Sequence, residues 1–147
     1  MENSPEVEGR PLRYGREIGL GDVERLNSFL KARIARLAAA ERGSDERHAA
    51  RSIMAASHQL VTTLEYALSS PDSARETDAL TRMQIKVSWN ALWALVFPYQ
   101  WHDAYDLDRW RSVKHWDATQ QSEFEQRLAD AFGEERLRRE RQGESTE

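Results

Sequence analysis

The sequence contains no cysteine among its 147 residues. Disulfide bridges, thiolate zinc sites and cysteine nucleophiles are therefore excluded, and so is a secreted domain held together by disulfides. No uninterrupted apolar stretch approaches the roughly 20 residues that a membrane-spanning helix needs. The first residues, MENSPEVEGRPLRYGREIG, contain no apolar run of the kind found in signal peptides. We expect a cytoplasmic protein with no membrane partner.

Lysine is also scarce, since 18 of the 21 basic residues are arginine. This bias is typical of high-GC bacterial coding sequences, and the size of the chain is compatible with a phage or mobile-element accessory protein. The net charge is −4, so bulk attraction does not draw the chain to a polyanion. The basic run at 136–141 is flanked by glutamates and indicates a solvated helix end. Nucleic-acid binding is therefore the third choice among the functions.

Helical periodicity dominates the rest of the sequence. Asp22 is a suitable N-cap for a first helix that ends at Gly43, and Ser44 with Asp45 begins a second helix. The turn SSPDS separates this second helix from the third. Because no β-hairpin signature or alternating strand is present, the predicted fold class is all-α. We expect a three- to four-helix bundle with an aromatic-rich capping segment.

The third helix, predicted over roughly 74–97 with a capping box between Ser73 and Glu76, has two apolar stripes. Pro98 is expected to end it. A helix that is apolar over most of its circumference is buried on more than one side or is covered by another chain. The first stripe contains Leu80, Met83, Val87, Ala91 and Leu95, and the second contains Ile85, Trp89, Leu92 or Trp93, and Val96.

The ends of the chain differ in composition from its middle. Residues 1–18 mix proline, glycine and charge, and predict a flexible N-terminal arm. Residues 19–132 form the predicted helical domain, whose last helix is capped by Asp117. Residues 133–147 are predicted to be a charged C-terminal tail.

The segment 97–116, FPYQWHDAYDLDRWRSVKHW, contains six aromatic residues. We expect it to cap one end of the bundle, with Trp101, Tyr105 and Trp110 packed against the third helix. Tryptophan combines a large apolar area with a polar N–H, so it favours core edges and interfaces. A surface for a protein partner or for homo-oligomerisation is predicted at Ile85, Trp89, Trp93, Phe97, Trp101 and Trp110.

Two sets of polar residues support an alternative, a small metal-dependent or acid–base enzyme. His102, Asp106 and His115 are the candidate metal ligands, although no HExxH-type motif accompanies them. His58 and Glu65 share one face of the second helix, and a carboxylate can orient a histidine as a general base. No nucleophile motif or phosphate-binding loop is present, so no catalytic residue and no cofactor is assigned.

Two short blocks, DVERLNSFLKARI and YQWHDAYDLDRW, resemble a family of small uncharacterised proteins found in high-GC bacteria. That family closes on a motif of the form Y-A-D-H-P-x-Y-x-x-x-W. Tyr99, His102 and Tyr105 match this spacing, whereas Trp101 and Asp103 replace the aspartate and proline of the motif, and the final tryptophan lies one residue late. The resemblance implies that the aromatic segment is a shared closing element of the fold.

The function predicted from the sequence is that of a non-enzymatic interaction or accessory protein. It binds a protein partner or associates with itself through an apolar helix face. The two-sided third helix supports this prediction, and so does the lack of a recognisable catalytic motif.

Overall fold

The computed structural model describes residues 10–144, and these contain five α-helices and no strand. The predicted all-α fold is confirmed. Two short 3-10 turns, Gly15–Glu17 and Phe97–Tyr99, accompany the helices. The helices are α1 (Leu20–Ala38), α2 (Asp45–Leu68), α3 (Asp72–Thr77), α4 (Ala79–Val96) and α5 (Ala118–Glu144).

The core lies among α1, α2 and α4, which pack against one another as a three-helix bundle. Each of these helices contributes residues that recur every three or four positions, so that they line one face. The fully buried residues of the three helices include Leu26, Leu30, Ile34, Leu64, Ile85, Trp89, Leu92 and Val96.

The first helix begins earlier and ends earlier than predicted. It starts at Leu20, and Asp22 lies in its first turn, where the carboxylate accepts the backbone N–H of Gly19 at 2.9 Å. It ends at Ala38, whereas Gly43 lies in the following loop with φ at +85°, in the left-handed region that favours glycine. Ser44 N-caps α2 as predicted.

The third predicted helix is two helices, α3 and α4, separated at Asp78. The backbone of Asp78 is extended, with φ −93° and ψ 107°, so the helix cannot continue through it. Its carboxylate accepts the Leu80 backbone N–H at 3.0 Å and the Thr81 hydroxyl at 2.8 Å, which caps α4. The predicted capping box at Ser73 is not formed, because Pro71 occupies the N-cap position of α3.

Residues 10–18, the described part of the predicted N-terminal arm, pack against the bundle. Leu12 and Ile18 are buried in the core. The Leu12 backbone N–H donates to the Asp108 carbonyl at 2.9 Å, and the Gly15 N–H donates to the His115 carbonyl at 3.0 Å. These bonds attach the arm to the aromatic segment. Residues 1–9 of the predicted arm lie outside the described residues.

The last helix is longer than predicted, because α5 continues through Gly133 to Glu144. Much of the stretch predicted as a charged tail is therefore helical, and residues 145–147 lie outside the described part. At 27 residues, α5 spans about 40 Å. It makes no extensive contact with the other described helices.

Candidate functional site

The aromatic segment 97–116 is held to α4 by side chains that bond to its backbone. Trp93 Nε1 donates to the Trp110 carbonyl at 2.9 Å, and Trp89 Nε1 donates to the Arg111 carbonyl at 2.7 Å. The Asn90 amide donates to the Val113 carbonyl and accepts the Val113 N–H, both at 2.8 Å. Lys86 Nζ donates to the Lys114 carbonyl at 3.2 Å. Four α4 side chains thus bond to the backbone of residues 110–114 and hold the segment to the helix.

Phe29 of α1 is the centre of the aromatic cluster beneath this segment. Its ring lies 5.9 Å from that of Tyr105 and 4.8 Å from that of Trp110, measured between centroids. Tyr105 and Trp110 are buried, as expected for a segment that seals the core. Trp101 was wrongly placed in this set: it lies on the tip of the segment and is 88% exposed.

Burial raises the pKa of the Tyr105 phenol. The Trp93 side chain partly offsets this rise, and the nearby Asp106 carboxylate adds a smaller upward effect. The hydroxyl donates to the Trp110 carbonyl at 3.2 Å. Tyr105 is therefore a neutral hydrogen-bond donor near neutral pH, which suits a structural role.

A buried ion pair joins Arg109 of the aromatic segment to Asp22 of α1. Arg109 Nη2 lies 2.7 Å from Asp22 Oδ2, and Nε lies 3.0 Å from Oδ1, so the contact is bidentate. Two further guanidinium donors bind the carbonyls of Arg10 and Glu17. The bonds to Asp22 raise the pKa of Arg109 against the opposing effect of burial. The pair attaches three parts of the chain to one another: the N-terminal arm, α1 and the aromatic segment.

The three candidate metal ligands do not converge. His102 packs on Phe29 at 5.6 Å between ring centroids, and Asp106 accepts the backbone N–H groups of residues 108 and 109. His115 instead packs against Phe124 of α5 at 5.2 Å. Nowhere in residues 10–144 do three histidine, aspartate or glutamate side chains form a group that could hold a metal ion. The predicted site fails because the segment is irregular and directs its side chains to different neighbours.

The acid–base alternative on α2 has no enclosed site either. His58 and Glu65 are both exposed on the surface of the helix. An exposed pair on one helix lacks the concave, water-poor pocket in which catalytic side chains usually meet their substrate.

The six residues predicted as a partner-binding surface lie in different environments. Ile85 and Trp89 are fully buried in the core, and Trp110 is buried beneath the aromatic segment. Trp93 is partly buried and packs on the exposed Phe97 at 4.9 Å between centroids. The tryptophans of α4 therefore support the bundle and the aromatic segment, and do not form a free surface by themselves.

The exposed apolar surface of α4 lies on its other stripe. Leu80, Met83 and Val87 are 55%, 54% and 56% exposed, and they recur at i, i+3 and i+7 on one side of the helix. We call these three residues the outer face. This face is opposite the buried stripe, and each of its three side chains is more than half exposed.

A second exposed apolar row lies on α5. Phe124, Leu128 and Phe132 are all exposed and recur every four residues, so they share one side of the helix. We call these three residues the α5 row. Only Phe124 has a ring partner, His115, among the described residues.

Comparison of the chain with protein-family models, with curated proteins and with solved structures finds no match. Within residues 10–144 no helix is both long and apolar enough to cross a bilayer.

Proposed function

We propose that this protein is a non-enzymatic helical interaction protein that associates with a second copy of itself through the outer face of α4. The observation that carries the proposal is the half-exposed row of Leu80, Met83 and Val87 on a helix whose other side forms the core. Contiguous apolar patches on a protein surface mark interaction sites far more often than isolated apolar residues do.

The α5 row of a second copy is the occupant that best suits this face. From Leu80 to Val87 the outer face extends about 10 Å, and from Phe124 to Phe132 the α5 row extends about 12 Å. Both rows consist of large, flexible or aromatic side chains, which interdigitate when two helices pack. Each row therefore offers the other an apolar surface of matching length.

Charge also favours this pairing. Helix α4 contains two cations, Arg82 and Lys86, and no acidic residue. Residues 118–132 of α5 contain one cation, Arg127, and three acidic residues, so this half of the helix has a net charge of −2. Opposite charge beside two apolar rows favours their association and disfavours pairing of either row with itself. The three acidic residues are Glu123, Glu125 and Asp130.

A reciprocal arrangement follows from placing both rows on one chain. If α5 of each copy covers α4 of the other, the same contact occurs twice and the assembly closes with two-fold symmetry. Two copies are then sufficient, and no apolar row is left to recruit a third. We place this dimer in the cytoplasm as part of the same proposal.

The mass of the protein in solution tests the proposal, by sedimentation equilibrium over a range of concentrations. We expect the parent chain to be a dimer and Val87→Asp to be a monomer, because a carboxylate in the outer face would be buried without a partner. Leu37→Asp is the matched control: Leu37 is 41% exposed on α1 and should leave the dimer intact.

Two results would count against the proposal in different ways. A parent chain that stays monomeric well above micromolar concentration contradicts self-association altogether. A Val87→Asp protein that remains dimeric contradicts the choice of face.

A further inference from the structure

A cavity of about 250 Å³ lies between the N-terminal half of α4 and the start of α5. We propose that it binds a compact anion, carrying a phosphate or carboxylate group, through Arg82 and Lys86. The groups that would hold the anion belong to a single chain, so the site does not need a second copy to form. The cavity is lined by Ala79, Arg82, Met83, Lys86, Trp116 and Gln120.

The polar side chains in this lining offer hydrogen-bond donors and no free acceptor. Arg82 and Lys86 are cations that can only donate. The side-chain carbonyl of Gln120 already accepts the Trp116 backbone N–H at 2.6 Å, which leaves the amide NH₂ for a ligand. Ala79 and Met83 are apolar. Such a cavity selects a ligand that supplies acceptor atoms and negative charge.

Positive charge exceeds negative charge beside the cavity. The carboxylate of Glu76 is shared by two arginines, since its oxygens lie 3.2 Å from Arg16 Nε and 4.0 Å from Arg82 Nη2. The Lys86 ammonium contacts a neutral group, the carbonyl of Lys114, at 3.2 Å. Two arginines thus share one carboxylate, Lys86 adds a third positive charge, and a bound anion would offset the excess charge.

Trp116 provides a second, separate observation. The residue is 3% exposed, and its indole N–H has no hydrogen-bond partner among the described residues. Buried N–H groups are nearly always hydrogen-bonded, so an unpartnered one calls for an explanation. The guanidinium of Arg82 lies 5.5 Å from the centroid of the Trp116 ring, so this indole responds to any change in the position of Arg82.

The size of the cavity restricts the ligand. Sites for drug-sized molecules are roughly 300–1,000 Å³, and this cavity is smaller. It suits inorganic phosphate, or a small molecule with one phosphate or carboxylate group and a short apolar part against Met83.

Nitrogen–proton NMR of the tryptophan indoles tests the proposal on the full chain. The five tryptophans give five indole signals, and Trp116→Phe identifies the signal of Trp116. We titrate with inorganic phosphate and, in a separate arm, with acetate, at constant ionic strength maintained with sodium chloride. The Trp116 signal should shift saturably, and the anion that saturates at lower concentration identifies the preferred group.

Variants distinguish a built site from general charge screening. Lys86→Gln and Arg82→Gln should each weaken binding by roughly tenfold or more, the usual effect of losing a charge-assisted hydrogen bond. Arg51→Gln, an exposed change on α2, is the matched control and should leave the titration unchanged. Lys86 is partly exposed, so its variant keeps the fold even if Arg82→Gln does not. A non-saturating shift with both anions, or equal shifts in the parent and Lys86→Gln, overturns the proposal.

Discussion

The two faces of α4 are both apolar, but only the inner face is buried in the core. On the inner face Ile85, Trp89 and Leu92 are fully buried among α1 and α2. On the outer face Leu80, Met83 and Val87 remain more than half exposed. The difference between the two faces is therefore one of neighbours, because both consist of large apolar side chains.

Apolar periodicity alone does not decide which surface a helix face packs against, and the polar side chains within or beside that face must be considered as well. The inner face includes Trp89, whose N–H reaches a backbone carbonyl, and it is bordered by Asn90 and Trp93, which do the same. The outer face has no such polar groups within its apolar row. A face with polar anchors is fixed to one partner within the chain, whereas a purely apolar row can be covered by an element from outside.

The largest expected effect is that of Trp89→Ala on the inner face. Removing a fully buried indole leaves a cavity and an orphaned Arg111 carbonyl, so we expect the free energy of unfolding to fall by about 3–5 kcal/mol. Urea unfolding followed by circular dichroism measures it. Val87→Ala on the outer face should cost about 0.5 kcal/mol or less when measured at a concentration where the chain is monomeric. Equal losses for the two variants would contradict the division between the faces.

The second prediction concerns the ion pair that fixes the aromatic segment over the inner face. Arg109→Met leaves the Asp22 carboxylate buried without its bidentate partner, a change that usually costs about 3–5 kcal/mol. We expect the lower end, about 3 kcal/mol, because Asp22 keeps the Gly19 N–H and the Arg25 guanidinium, which lies 3.0 Å away. Thermal and urea unfolding measure the loss. A variant as stable as the parent would show that the pair does not hold the segment.

The third prediction tests the polar anchor of the inner face. Asn90→Ala leaves both backbone groups of Val113 without their partner, and we expect a loss of about 2 kcal/mol. Hydrogen exchange should show the Val113 amide losing more protection than amides in the middle of α2. Gln84→Ala, a partly buried change on the same helix, is the control. Unchanged protection of the Val113 amide would show that Asn90 does not anchor the aromatic segment.

The smallest expected effect is a pH dependence of the free energy of unfolding that arises from Asp78, the N-cap of α4. The hydrogen bond from Thr81, followed by that from the Leu80 N–H, lowers the pKa of Asp78. The folded state thus favours the ionised form. This contribution to stability is present at pH values above the ordinary aspartate pKa of about 3.9. It is lost as the pH falls through the lower pKa that Asp78 has in the folded protein.

Asp78→Asn is the matched variant for this prediction, because asparagine keeps an N-cap acceptor but does not ionise in this range. Urea unfolding from about pH 6 to about pH 2 should show the stability advantage of the parent over Asp78→Asn shrinking with acid. An advantage that grows as the pH falls would contradict the sign of the effect.

Much of the fold could be predicted from the sequence, because helical periodicity and capping residues are local signals. Both stripes of α4 were predicted, but the pattern cannot say which stripe meets the other helices, since that depends on tertiary packing. The break at Asp78 was missed because no glycine or proline marks it and because Ser73 with Glu76 predicted an earlier helix start. Asp78 itself was the available signal, as an aspartate two residues before Leu80 is a good N-cap.

The residues that hold the aromatic segment were harder to predict. Asp22 and Arg109 are 87 positions apart, and no periodic pattern connects them. The bonds from Trp89, Asn90 and Trp93 end on backbone carbonyls, which carry no sequence signature. Arg82 and Lys86 were not singled out either, since two cations on one helix have no special meaning until Trp116 lies beside them.

A complementation experiment tests the central claim that the outer face of α4 is covered by α5 of a second copy. Val87→Glu and Phe132→Lys are made in separate chains, and each protein alone should be monomeric in sedimentation equilibrium. In a mixture, one of the two interfaces keeps its original residues in both rows, and the other interface carries both changes. We predict that the mixture forms a heterodimer. Monomers in the mixture, with a dimeric parent chain, would contradict this pairing of the two helices.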